Sequence, residues 1–280
     1  MAKSIPPKDD NEQGSAAAEA SAKPTGALAA REYTLLVQRQ DALEKPETRR
    51  IDELRVSCSP STSVLGALKL DRNRAAGSTE QTGGSIAWEG DCFEGSCGGC
   101  SMLINGKVGL ACAVPLAKAA DKEQRVRLAP MRHFPLLRDL VVDRSRIKRM
   151  LGTVPLEGPR TPRSSVTHVT PSATRALELA RLDQCHRCGA CLEACPQYGV
   201  HSEFVGAVTL HEVHVRNLGP GARHQRTERL EAMMAPGGVN SCGKAQNCVE
   251  VCPVGLPLVD SIQSVARATT KHMLFGWLLK

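Results

Sequence analysis

The cysteines constrain the fold of this 280-residue chain more than any other feature, because eleven of the twelve fall into three regularly spaced groups. The twelfth, Cys58, stands apart from them. Residues 1–30 contain no apolar run of the kind that a secretory signal needs, so we do not expect disulfides. Grouped cysteines in such a chain indicate metal centres.

The first group has the spacing C-x4-C-x2-C-x11-C, within "DCFEGSCGGCSMLINGKVGLAC". This spacing is typical of plant-type 2Fe-2S clusters, in which one loop carries three thiolates and a nearby strand carries the fourth. Its glycines, such as Gly98 and Gly99, would let backbone N–H groups approach the sulfurs. A zinc site is the alternative, but zinc ribbons usually contain paired C-x2-C knuckles without such a loop. The predicted 2Fe-2S ligands are Cys92, Cys97, Cys100 and Cys112.

The second and third groups are two versions of one motif. "QCHRCGACLEACP" has the C-x2-C-x2-C-x3-C-P spacing of bacterial ferredoxins, and "SCGKAQNCVEVCP" repeats it with Ala245 where a cysteine should stand. In ferredoxins with two clusters, the last cysteine of each run binds the other cluster. This rule predicts a 4Fe-4S site formed by Cys185, Cys188, Cys191 and Cys252, and leaves a second set of Cys195, Cys242 and Cys248.

Three cysteines and one alanine predict a 3Fe-4S cluster at that second set, because an iron without a thiolate is labile. The lost iron changes the charge of the cluster, and we expect a higher reduction potential there. Two interleaved zinc sites are the alternative. The proline after the last cysteine of each run, at Pro196 and Pro253, argues against them.

The first half of the chain predicts a small sheet with one helix. Alternating apolar residues indicate strands at 33–37 and 54–58, with a hairpin connection between them, and "RVRLAPM" from Arg125 indicates another strand. A short helix is expected from Val64, with Thr62 as a possible cap. Together with the cysteine loop, these elements predict a β-grasp ferredoxin.

The second half predicts helices. Leu136, Leu137, Leu140 and Val141 have helical spacing, "DRSRIKRM" continues the helix, and "ATRALELARL" forms another after a Pro/Ser/Thr-rich linker. We therefore predict the α+β class. The expected units are a disordered tail (1–30), a β-grasp 2Fe-2S ferredoxin-like domain (31–134) and an all-α helical ferredoxin domain (135–280).

Composition excludes several function classes. The net charge is +7, but no aromatic residues alternate with the basic ones, so nucleic acid is not an expected partner. No apolar stretch approaches the roughly 18 residues of a membrane span. The sequence has no Walker or Rossmann fingerprint and no evident catalytic pair, so any chemistry on carbon must belong to a partner.

A plant-type 2Fe-2S domain followed by this helical domain resembles the iron–sulfur subunit of the succinate dehydrogenase/fumarate reductase family. "HFPLLRDLVVDRSR" looks like the segment that joins the two domains in that family. "CGKAQNCVEVCPVGLPLVDSI" is similar to the Gram-positive type, whose membrane anchor carries two haems b and whose quinone is usually menaquinone.

The resemblance implies an enzyme subunit that binds no substrate itself. An FAD-containing flavoprotein subunit would oxidise succinate, and electrons would cross 2Fe-2S, 4Fe-4S and 3Fe-4S to a haem b membrane anchor and a quinone. The chain would be peripheral, on the cytoplasmic face of the bacterial plasma membrane, within respiratory complex II and the tricarboxylic acid cycle. The alternatives are a quinol:fumarate reductase subunit and the iron–sulfur partner of another flavoenzyme.

Two departures from the family pattern concern the quinone. Ubiquinone-reducing relatives have Trp and His at positions that Val200 and Gly243 occupy here, so no quinone-binding residue is predicted and electrons are expected to leave through haem.

Four lesser features carry weaker predictions. His186 is expected at the surface of the 4Fe-4S loop, and Cys58 in the core. The apolar end "KHMLFGWLLK" could contact the anchor or lipid, or pack back on its own domain. The remaining prediction is a solvated helix face formed by Arg144, Arg146, Lys148 and Arg149.

Overall fold

The computed structural model describes residues 29–76, 85–153, 172–219 and 225–275. The predicted tail up to residue 28 and most of the predicted linker (154–171) lie outside these residues. The strands are β1 (Arg31–Arg39), β2 (Arg50–Cys58), β3 (Ser101–Ile104), β4 (Lys107–Leu110), β5 (Arg125–Ala129), β6 (Leu136–Arg138) and β7 (Val141–Val142). The helices are α1 (Val64–Ala76), α2 (Leu116–Ala119), α3 (Ser145–Thr153), α4 (Ala173–Leu182), α5 (Ala190–Glu193), α6 (Gly206–Leu218), α7 (Arg226–Met234), α8 (Asn247–Glu250) and α9 (Leu258–Phe275).

The first half folds around a mixed five-stranded sheet in the order β2-β1-β5-β3-β4. β1 and β5 pair in parallel at its centre, and the outer pairs are antiparallel. Tyr33, Leu35 and Val37 are buried on one face of β1, as their alternation predicts. The connection between β1 and β2 contains a short 3-10 turn, Pro46–Thr48, and this confirms the predicted hairpin.

Helix α1 packs its apolar residues into the same core as β1. Val64, Leu65 and Leu68 are almost fully buried there. The hydroxyl of Ser63 accepts a hydrogen bond from the N–H of Gly66, so Ser63 caps the helix instead of the predicted Thr62. Cys58 is 7% exposed in this core, as expected.

Residues 136–142 form a hairpin, so the helix predicted there is wrong. Leu136 pairs with Val142, and Arg138 pairs with Val141. Asp139, in the turn, has φ of 48° and a fully buried carboxylate that accepts hydrogen bonds from Arg39. This long-range contact fixes the turn. The local spacing of the apolar residues, on which the helix was predicted, contains no information about it.

Helices dominate the second half, as predicted. α6 packs against α9, and α7 also contacts α9. Leu192, Leu210, Val213, Met233 and Val265 are buried among these helices. The two ferredoxin-type cysteine runs lie beside this core on loops that lead into the short helices α5 and α8.

The two halves share part of one core. Cys188 and Ala190, from the helical half, are buried in the same cluster as Leu65 and Leu140. The domain boundary after residue 134 stays a prediction, and the contacts across it are extensive.

A buried histidine in the helical half predicts a pH-dependent stability. His211 is 1% exposed, with Nε2 2.9 Å from the carbonyl oxygen of Leu182 and Nδ1 2.8 Å from the hydroxyl of Ser261. Burial lowers the pKa of His211, against the opposing effect of that carbonyl and of nearby Glu212 and Asp183. Burial also lowers the pKa of His214.

An unfolded histidine binds a proton below about pH 6.5, whereas folded His211 stays neutral to lower pH. The contribution of His211 to the free energy of unfolding should therefore be fully present above about pH 6.5. It should fall as the pH drops below that value. We expect His211→Gln to reduce this fall, measured as the difference in urea midpoint between pH 7.5 and 5.5. The exposed His201→Gln is the control, and equal falls in wild type and His211→Gln would contradict the assignment.

Candidate metal centres

The first cysteine loop precedes β3, and its fourth cysteine follows β4. Gly95 and Gly98 have φ of 82° and 71°, a conformation that lets the loop close tightly. Cys100 Sγ lies 3.3 Å from Cys112 Sγ, so the loop and the turn after β4 bring two predicted ligands together. In the described parts of the chain, no three His, Cys, Asp or Glu side chains are arranged to bind a single metal ion.

Backbone N–H groups point at the sulfurs of this loop. The amide of Cys97 donates to Cys92 Sγ at 3.3 Å, and the amide of Gly99 donates to Cys97 Sγ at 3.4 Å. Hydrogen bonds from Ser96 and from backbone amides lower the pKa of Cys92 to about 6. Burial and the adjacent Cys100 raise the pKa of Cys112 to about 12. These donors and crowded sulfurs fit a cluster whose iron compensates the thiolate charge.

Cysteines from both ferredoxin-type runs meet at the second predicted site. A cavity beside α6 and α9 is lined by all four predicted 4Fe-4S ligands, Cys185, Cys188, Cys191 and Cys252. Burial raises the pKa of Cys185 and Cys188, and it raises that of Cys191 well above its ordinary value. Buried neighbouring thiols of this kind become stable thiolates only with a cation among them, so the set fits a 4Fe-4S cluster.

The predicted third set is Cys195, Cys242 and Cys248. Burial and then the charges of Cys195 and Cys242 raise the pKa of Cys248. The side-chain amide of Asn247 donates to the carbonyl of Ala194 at 3.0 Å, so the second run lies against the residue before Cys195. Cys242 and Cys248 also line a cavity of about 340 Å³ against α9. Ala245 is exposed in the loop between them.

The two ferredoxin-type loops have the same backbone shape. In the first loop, positive φ angles occur at Arg187 and Gly189, with values of 51° and 84°. In the second loop they occur in the same register, at Lys244 and Gln246, with values of 57° and 66°. A four-residue helix follows each loop. The second loop therefore keeps a ligand-binding shape around Ala245.

The first two sites meet at Gly98. A Cβ atom on Gly98 would lie 2.8 Å from Cys188 Cβ and 2.9 Å from the carbonyl oxygen of His186. The buried hydroxyl of Ser101 donates to the Gly98 carbonyl at 2.9 Å and helps to hold Gly98 in this position. The 2Fe-2S loop is thus in direct contact with the 4Fe-4S loop.

Two of the four basic residues predicted as a solvated face instead bind backbone carbonyls. Arg144 donates to the carbonyls of Gly98 and Gly99. Arg146 donates to the carbonyl of Gly199 at 2.6 Å, and its guanidinium lies 4.6 Å from the ring centre of Tyr198. Their acceptors lie 45 to 56 residues away in sequence, so a local pattern could not reveal them. Lys148 and Arg149 are exposed, as predicted.

The other predicted features are placed as follows. His186 is half-buried, and its Nδ1 has no hydrogen-bond partner among the described residues. Val200 is 49% exposed, and Gly243 packs against the side chain of Gln197. At the end of α9, Met273, Leu274 and Phe275 are exposed, and the last five residues are outside the described part. Across the described residues, no helix has both the length and the apolarity to cross a membrane.

Two family models match the two halves of the chain. A 2Fe-2S iron-sulfur cluster binding domain matches residues 34–149, and a 4Fe-4S dicluster domain matches residues 181–256. The cysteines that we assigned to the first group and to the two later runs all lie within these matched ranges. The predicted α+β fold with two ferredoxin domains is thereby confirmed.

Whole-chain comparisons agree with the family models. The succinate dehydrogenase iron-sulfur subunit of Bacillus subtilis is 36% identical, over 84% of this chain and 91% of that protein. The fumarate reductase iron-sulfur subunit of Mycobacterium tuberculosis is 31% identical, over 69% of this chain and 80% of that protein. A chain in the structure titled "Mycobacterium smegmatis Sdh1 complex in the apo form" has the same fold, with a TM-score of 0.72, 21% identity, and coverage of 87% of this chain and 98% of that one. The chain belongs to the iron–sulfur subunit family of succinate dehydrogenase and fumarate reductase.

Proposed function

We propose that this chain is the electron-transfer subunit of a membrane-bound succinate:quinone oxidoreductase. In this complex it receives electrons from the FAD of a flavoprotein subunit and passes them to a membrane anchor. We further propose that the anchor holds haem b, that the acceptor is menaquinone, and that the subunit is peripheral on the cytoplasmic face of the plasma membrane. The name and the 36% identity of the Bacillus subtilis relative support the complex and its reaction.

One observation carries the proposal: cysteines from both of the later runs line one cavity. Cys252, from the second run, lines the same cavity as the first three cysteines of the first run. Asn247, in the second run, donates to the carbonyl of Ala194, so the last cysteine of the first run, Cys195, lies next to a contact with the run that contains Ala245. This arrangement supports one four-ligand and one three-ligand centre in addition to the 2Fe-2S site.

Each part of the chain has a distinct task in this relay. The bound clusters supply one-electron transfer. Backbone N–H groups around Cys92 and Cys97 stabilise negative charge on the first site. The contact between Gly98 and Cys188 holds the first site against the second. The shared runs then hold the second site beside the third, so the chain itself sets the order of transfer.

The second candidate function is fumarate reduction, because fumarate reductase iron–sulfur subunits also match this chain. Succinate-driven quinone reduction and menaquinol-driven fumarate reduction should be measured on the purified complex. We expect the succinate reaction to be the physiological one. A complex with fumarate reduction alone would contradict this direction but keep the electron-transfer role.

The cluster content tests the proposal directly. We expect about nine irons per chain, from 2Fe-2S, 4Fe-4S and 3Fe-4S clusters. Low-temperature EPR should show a 3Fe-4S signal in the oxidised complex and a 2Fe-2S signal after reduction. About four irons per chain, or zinc without sulfide, would overturn the proposal.

Single cysteine variants test the exchange of ligands. Cys252→Ser should remove the 4Fe-4S signal and leave the 2Fe-2S signal, because its sulfur lines the 4Fe-4S cavity. Cys195→Ser should remove the 3Fe-4S signal instead. Cys58→Ser is the control, since that buried cysteine belongs to none of the three spaced groups. The opposite loss in the first two variants would show that each run binds its own cluster.

A further inference from the structure

We infer that Arg144 is a positioning residue for electron transfer between the first two centres. It ties the 2Fe-2S loop to α3 at the point where that loop meets the 4Fe-4S loop, and its positive charge favours reduction of both. The inference rests on the proposed electron-transfer function and extends it to a residue outside the cysteine motifs.

The contacts of Arg144 are directed at the first cysteine loop. Its Nη2 donates to the carbonyl of Gly99 at 2.6 Å, and its Nη1 lies 3.3 Å from the carbonyl of Gly98. The side chain is only 18% exposed. One guanidinium therefore binds two successive peptide groups, which a lysine ammonium with its single nitrogen does less well.

The same guanidinium acts on the second site. Gly98, which Arg144 binds, is the residue that packs against Cys188. Gly98 alone separates Arg144 from Cys188, and Gly99 is followed by Cys100. Arg144 thus lies close to predicted ligands of both centres.

Reduction of either centre adds a negative charge, so a nearby cation raises the equilibrium constant for reduction. Partial burial keeps this effect from being screened as it would be at the surface. Glu89 has a carboxylate oxygen 3.3 Å from Nη2 of Arg144 and is 46% exposed, so it offsets part of the effect. Removing the two charges should therefore shift the potential in opposite directions.

The test is an EPR-monitored redox titration of the purified complex with three variants and one control variant. Arg144→Gln should lower the equilibrium constant for one-electron reduction of the 2Fe-2S centre about tenfold, a fall of about 59 mV. Glu89→Gln should raise it by a smaller factor. Arg144→Lys should stay near wild type in potential, while the amides of residues 98–100 exchange hydrogen faster. Lys148→Gln is the matched control, because it removes a charge from the exposed side of α3.

The outcomes separate this inference from the proposed function. Absence of cluster signals in wild type would remove the proposed function itself. Normal wild-type signals with no shift in Arg144→Gln, or shifts of the same sign in Arg144→Gln and Glu89→Gln, would overturn the inference alone. If Arg144→Gln does not assemble, the opposite sign of Glu89→Gln and the exchange rates of Arg144→Lys still decide it.

Discussion

Replacing Ala245 with cysteine is expected to convert the 3Fe-4S centre to 4Fe-4S. The oxidised 3Fe-4S EPR signal should disappear, and iron should rise by about one atom per chain. The potential of that centre should fall, so quinone reduction by succinate should slow. This is the largest functional effect that we expect from a single substitution.

The physical reason is that the loop already has the required shape. Lys244 and Gln246 have positive φ angles, as do their counterparts around Cys188, Arg187 and Gly189. Ala245 stands where that cysteine stands in the first run, so a thiolate there needs no change of backbone. Because Ala245 is exposed, the larger side chain has room.

Ala245→Ser is the matched control, since it has a similar size but no thiolate. It should keep the 3Fe-4S signal and near-normal activity. An intact 3Fe-4S signal in Ala245→Cys, with unchanged iron content, would show that the missing cysteine does not determine the cluster type.

Replacing Asp139 with alanine is expected to cost the largest amount of stability, about 3 kcal/mol in free energy of unfolding. The carboxylate is fully buried and accepts hydrogen bonds from Nε and Nη2 of Arg39, at 3.1 and 3.2 Å. It also accepts from the amides of Gln40 and Ala87. The variant would leave the 2% exposed Arg39, the buried amide of Gln40 and the half-buried amide of Ala87 without this acceptor.

The measurement is the urea midpoint of the cluster-loaded chain, followed by far-UV circular dichroism. Asp52→Ala is the control, because Asp52 pairs with the same arginine at 2.9 Å but is 35% exposed. It should cost no more than about 1 kcal/mol. Equal losses of stability in the two variants would show that the burial of Asp139 does not cause the larger loss.

The sequence predicts the centres well because spacing between cysteines is a local property. Cys92, Cys97 and Cys100 lie on one loop and Cys112 in the turn after β4, and the predicted ligand exchange follows from a general rule for paired runs. The strands β1 and β5 are also predictable, because one face of each is buried and the other is not. The ligand sets themselves stay predictions until the cysteine variants are measured.

The structural features that the sequence does not reveal depend on contacts between residues that are far apart in the sequence. The hairpin at 136–142 is specified by Asp139 and Arg39, one hundred residues apart. The roles of Arg144 and Arg146 depend on carbonyl groups, and every residue has a carbonyl, so no side-chain pattern marks them. The wrong helix and the wrongly predicted solvated arginines have one cause. The spacing of apolar and basic residues indicates a helix face, but it does not indicate which distant residues contact those side chains.

The shared core has a consequence for how this relay works. Linked domains usually move relative to each other unless a large apolar interface prevents it. Here Cys188, a predicted cluster ligand, is itself buried among residues of the β-grasp half, and Gly98 leaves no gap beside it. Electrons should therefore pass between carriers at constant separation, without a swinging domain, and the transfer rate should be insensitive to solvent viscosity.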